Sequence, residues 1–85
     1  MRVDRNSLVA DLREGVVEIQ YSHRGNTYFF RATLAPNLTP ELSEEDVARR
    51  REAGAGVITI WDHWNGGWKE LLVDNIVYAQ RLDVY

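Results

Sequence analysis

The stretch Trp61-Asp62-His63-Trp64-Asn65-Gly66-Gly67-Trp68-Lys69 gathers all three tryptophans of the chain beside a histidine, a carboxylate and an ammonium. Flat rings next to a cation, on backbone loosened by two glycines, can stack a planar ring and hold a phosphate. One base stacked on an aromatic side chain is worth about 1–3 kcal/mol. The same residues also have a structural reading: Trp61 and Trp68 can pair across a hairpin. Trp64 falls at the turn and is the hardest of the three to bury, so it is either a contact residue for a ligand or a partner subunit or a structural turn residue. Arg24, Arg31 and Lys69 add cations to two hairpins. Arg31 shares the non-core face of its strand with Thr27 and Thr33, a face that suits an anionic, ring-containing ligand or else is solvated sheet. Arg49, Arg50 and Arg51 can grip phosphates bidentately. They also suit the C-terminus of a short helix, paired with Glu44, Glu45 and Glu52.

Acid–base chemistry would need His23 or His63 with a carboxylate, and Asp62 adjoins His63. No nucleophile or oxyanion device accompanies them, and neighbouring strand residues point to opposite faces. With no cysteine and two histidines, the usual structural zinc sites are excluded. There is no glycine-rich phosphate loop and no dinucleotide fingerprint. The reading is a non-enzyme without catalytic residues, metal or cofactor, whose candidate ligand-binding residues are Trp64, Trp61, Trp68, His63, Lys69, Arg31, Arg24, Arg49 and Arg50.

The elements that must position these side chains are short. Residues 6–14 read as a helix capped by Asn6 or Ser7, with Leu8, Val9 and Leu12 on one face and Gly15 as a left-handed cap. Residues 16–22 alternate as a half-buried strand. A tight turn at Gly25-Asn26 leads into a returning strand over 27–35. Pro36 and Pro40 stop that strand. The connection 36–54 is expected to be mobile, with a polar helix over 43–53. Strands follow at 57–62 and 68–73, joined by an Asn65-Gly66 hairpin. A 3₁₀ turn at 73–76 precedes a last strand over 76–84. The expected core is Leu8, Leu12, Val17, Ile19, Tyr21, Tyr28, Phe30, Leu34, Ile58, Ile60, Leu71, Val73, Ile76, Tyr78 and Leu82. Five short strands with one leading helix predict a mainly β fold: a small five-stranded SH3/Sm-like barrel, with residues 1–85 as one domain.

Composition bounds what such a domain does. The chain has 85 residues, a net charge of −3 from 13 acids and 10 bases, and 11% aromatic residues. That balance argues against a sequence-blind nucleic-acid coat, which needs a large basic surface. No apolar run approaches the roughly 20 residues of a membrane span, and MRVDRNSL has no apolar core of a secretory signal. Cytoplasmic residence and no membrane partner are the expectations. A thin core and surplus rings favour a homo-oligomer.

Three segments together resemble a known group. LREGVVEIQYSHRGNTYFFRATLAPNL is a helix end, a hairpin and an RATL-P-L close. VITIWDHWNGGWKELLVDNI is an apolar strand ending in Trp-Asp, a hairpin and a strand running into VD-I. A polar insert separates them. Their order and spacing, over residues 7–80, resemble the small bacteriophage-encoded WYL-like proteins of the Sm/SH3-type β-barrel. Where the larger WYL domains usually carry an arginine before the final isoleucine, this chain has Asn75. The resemblance implies a barrel-type binding module in a bacterial host cytoplasm, because WYL domains are regarded as sensors of nucleotides or nucleic acid. Three functions are carried forward: a binder of a nucleotide or other small anion, sequestering a host signalling nucleotide (anti-defence); a module that binds a bacterial host protein; and an Sm-like RNA binder.

Overall fold

Asp4 starts the first helix. Its carboxylate accepts the Ser7 N–H at 3.1 Å and the Ser7 hydroxyl at 2.8 Å, so the cap lies ahead of the predicted Asn6 or Ser7. These bonds, the hydroxyl's first, hold the Asp4 carboxyl below its ordinary pKa. The computed structural model describes residues 3–45, 47–48, 54 and 56–83. Within them run α1 (Arg5–Glu14), β1 (Val16–His23), β2 (Asn26–Thr33), β3 (Val57–Asp62), β4 (Trp68–Leu72), a 3₁₀ turn (Val73–Asn75) and β5 (Ile76–Arg81). Gly15 is not a left-handed cap. It is extended, with φ −179°, and its N–H closes on the Asp11 carbonyl at 3.2 Å.

All five strands form one antiparallel sheet in the order β4-β3-β2-β1-β5. Strand pairing ends at β4 and β5, so the ladders are those of a sheet with two edges. Laid flat, those edges would stand about 19 Å apart, at about 4.8 Å per strand. Leu72 and Ile76, four residues apart, are joined by a chain that reaches at most about 14 Å. The sheet must therefore curl. The Leu72 N–H accordingly donates to the Tyr21 hydroxyl, across from β4 to β1, at 2.9 Å.

The concave face holds the core. Leu8 and Leu12 of α1 pack on Val17, Ile19, Tyr21, Ala32, Ile58, Ile60, Leu71 and Ile76. Burying a side chain the size of leucine or isoleucine stabilises by about 1.5–3 kcal/mol. On β3 the predicted choice of Ile58 and Ile60 over Val57 and Trp61 agrees with the burial. Thr33 locks α1 onto the sheet. Its buried hydroxyl donates to the Gly15 carbonyl at 2.7 Å and accepts the Ala35 N–H at 3.1 Å, while the Leu34 N–H reaches the Leu12 carbonyl at 2.9 Å.

Two tyrosines expected in the core are exposed. On β5 the register slips between Gln20, opposite Tyr78, and Tyr21, opposite Ile76. Val77 is thus an extra residue, a β-bulge that turns Tyr78 off the face of Ile76. Tyr78 is 48% exposed in consequence. Tyr28 is 43% exposed because β2 pairs with β3 only at Ala32 and Thr33, so the β1–β2 hairpin projects beyond the rest of the sheet. Phe30, Leu34, Val73 and Leu82 are half-buried. The hairpin turn itself sits at Arg24-Gly25, with φ 51° and 80°, and Asn26 is already in the strand. In the insert, residues 44–45 and 47–48 are helical, and the Val47 N–H donates to the Ser43 carbonyl at 3.0 Å. The expected continuation through Arg49, Arg50 and Arg51 lies outside the described residues.

Candidate functional site

The loop between β3 and β4 is wider than a two-residue Asn-Gly turn. The Gly66 N–H donates to the Asp62 carbonyl and the Asp62 N–H to the Gly67 carbonyl, both at 2.9 Å. Positive φ falls on Gly66 and Gly67, at 73° and 113°, rather than on Asn65. The Asp62 side chain organises this loop. Its Oδ1 accepts the N–H groups of Trp64 and Asn65 at 3.0 Å each. Its Oδ2 accepts the Asn65 amide at 3.2 Å and meets Lys69 Nζ at 3.1 Å. Burial pushes this carboxyl's pKa up, but the Asn65 N–H, the Lys69 ammonium and the Asn65 amide outweigh burial and leave it lowered.

The predicted site residues divide among several places. Trp61 and Trp68 face each other across the ladder, ring centroids 5.2 Å apart and edge to face. The Arg31 guanidinium lies 4.3 Å from the ring centre of Trp64, which is 61% exposed. Lys69 pairs in register with Ile60, and its ammonium stands 5.0 Å over the Phe30 ring. Strand alternation therefore puts Lys69 on the concave face and Arg31 on the convex one, so the two do not share a surface. His63 is half-buried, and its N–H donates to the Arg31 carbonyl at 2.7 Å. Arg24, at the far hairpin tip, is seven residues from Arg31, roughly 23 Å along the strand. Arg49 and Arg50 lie outside the described residues. Asp62 is committed to the loop and Lys69, which gives it a structural role instead of one beside His63.

Of the three tryptophans, Trp68 opens onto a concavity. A groove of about 310 Å³ is lined by Trp68, Arg13, Leu34, Pro36, Thr39, Pro40, Glu41 and Leu42. The two prolines that end β2 build one wall. The Thr39 hydroxyl donates to the Ala35 carbonyl at 3.1 Å and fixes the bend between them. Cavities of this size are within the range that holds small molecules. In one groove the Trp68 ring can stack a flat molecule, the Arg13 guanidinium can hold an anionic group on it, and the Glu41 carboxylate can accept from a donor edge of its ring. Arg13 was absent from the predicted set. The available signal was its place on α1: Arg5, Val9 and Arg13 recur every four residues and so share a stripe beside the buried Leu8 and Leu12.

No family model matches the chain, and neither a curated protein nor a solved structure matches it. Among the described residues, no helix is long and apolar enough to cross a membrane.

Proposed function

We propose that this chain is a non-catalytic binding module for an anionic, ring-bearing small molecule such as a nucleotide. The observation that supports this reading is that Trp68 and Arg13 line the same groove of about 310 Å³. The indole offers a face for a planar ring, and the guanidinium offers charge and paired donors for an oxyanion. The sequence resemblance to phage-encoded WYL-like proteins adds a setting to the proposal: a small protein that sequesters a host signalling nucleotide in an infected bacterial cytoplasm. Calorimetry against a panel of linear and cyclic nucleotides tests it. The expected result is saturable heat that Trp68→Ala or Arg13→Met removes while the fold is kept. Absence of heat across the panel overturns the reading.

A second reading has its own observation. Phe29 and Trp64 are 59% and 61% exposed, and large exposed rings serve as anchors at protein interfaces. On this reading the chain binds a bacterial host protein through the face that carries Trp64. A tagged pull-down from host lysate with wild type and Trp64→Ala separates the two. A stoichiometric partner lost in the variant supports the second reading, and recovery of no protein rejects it.

A further inference from the structure

A second cavity adjoins the groove. It measures about 110 Å³ and is lined by Arg5, Val9, Arg13, Leu34, Val57, Ile58 and Thr59. Arg13 and Leu34 line both cavities. Arg5 and Arg13 stand eight residues apart on α1, roughly 12 Å along the axis, with Val9 between them. Both line the small cavity. Among the described lining residues there is no carboxylate to neutralise them. The Arg5 Nε is buried and lacks a hydrogen-bond partner. A buried donor left unmade costs stability, and more when it carries charge. Two guanidiniums lining one cavity with no carboxylate among its described lining residues suit an oxyanion, which can take two guanidinium forks at once.

We infer that the cavity between Arg5 and Arg13 is a phosphoryl subsite, holding a phosphate or diphosphate group of a ligand whose ring lies against Trp68 in the adjoining groove. Arg13 is the hinge between the two parts, since it reaches both. The cavity, at about 110 Å³, is much smaller than the groove of about 310 Å³, so the compact anion falls to the cavity and the ring to the groove beside Trp68. The assignment of the ring rests on the function proposed above. The assignment of the anion does not.

The test is a titration of the intact protein followed by NMR of the arginine Nε–Hε and tryptophan indole N–H signals. The probes are pyrophosphate, adenosine 5′-monophosphate and adenosine. Pyrophosphate is expected to shift the Arg5 and Arg13 signals saturably and to leave Trp68 nearly unmoved. The nucleotide is expected to shift all three and to bind at least about tenfold tighter than the nucleoside. Arg5→Met, which keeps the aliphatic stem, is expected to erase that preference. The wild-type titration decides the matter even if the variant fails to fold. If pyrophosphate leaves both arginine signals in place, or nucleotide and nucleoside bind equally, the subsite is overturned. If pyrophosphate shifts the arginines but neither adenosine compound moves Trp68, the subsite stands and the ring-binding reading falls.

Discussion

Asp62 and Lys69 form an ion pair of 3.1 Å in which the aspartate side chain is 1% exposed and the lysine side chain 39% exposed. The asymmetry assigns the roles. The buried partner also holds two backbone N–H groups and an amide, whereas the ammonium can turn to water. Asp62→Ala is expected to cost about 1–3 kcal/mol, the range for donors left without a partner. Lys69→Met is expected to cost less than about 1 kcal/mol, as for a partly exposed pair. Urea unfolding at neutral pH measures both. Equal losses would mean that the pair, not the loop bonds, carries the energy.

The Asp62 carboxyl also gives a pH dependence. Its folded pKa is lowered, below an unfolded value of about 3.9. Its contribution is therefore complete above about pH 4 and disappears as pH falls through the lower folded value. The stability advantage of wild type over Asp62→Asn is expected to hold from pH 7 to about 5 and to shrink below pH 4. Denaturation midpoints over that range check it. An advantage that grows with acid would reverse the assigned sign.

Thr33→Val keeps the shape of the side chain and removes its hydroxyl. The Gly15 carbonyl and the Ala35 N–H then lose a partner in a buried site. The expected loss is about 1–3 kcal/mol. Thr33→Ser is expected to recover much of it. A lower denaturant midpoint at unchanged slope is the readout, since a changed slope would point to the unfolded state instead.

Arg24 occupies left-handed backbone at φ 51° in the β1–β2 turn. Asparagine adopts that conformation more readily and, followed by glycine, favours this type of turn. Arg24→Asn is expected to stabilise by about 0.5–1 kcal/mol, within the range for relieving an unfavoured backbone position. Thermal unfolding measures it, and no gain would show that the arginine is not strained there.

Arg31 over Trp64 is a cation–π contact on an exposed ring. A double-mutant cycle of Arg31→Met and Trp64→Ala is expected to return a coupling of about 0.5–1 kcal/mol. Zero coupling would remove the contact as a reason for the position of Trp64.

The fold class was legible because the apolar pattern is short-range. Val17, Ile19 and Tyr21 alternate, Pro36 and Pro40 end a strand, and Val73–Asn75 is too short to leave the last two strands far apart. The errors have a common source in pairing. A bulge at Val77 is invisible to strict alternation, which puts Tyr78 on the core face. The length over which β2 meets β3 has no local signal, and alternation alone puts Tyr28 inside. The tryptophan cluster and the Trp61–Trp68 pair were evident from spacing, because a hairpin makes neighbours of residues close in sequence.

By itself, then, the sequence determined the strands, the leading helix and the aromatic hairpin, all of which depend on neighbours a few residues apart. The tertiary structure alone decided which side chains share a surface. It separated Arg31 from Lys69 across the sheet, gave Asp62 to Lys69 and the loop, and brought Arg13 of α1 to the groove of Trp68, 55 positions later in the chain. The physical reason is register and curl: strand alternation fixes a face only once pairing is known, and a groove exists only where a helix meets a bent sheet.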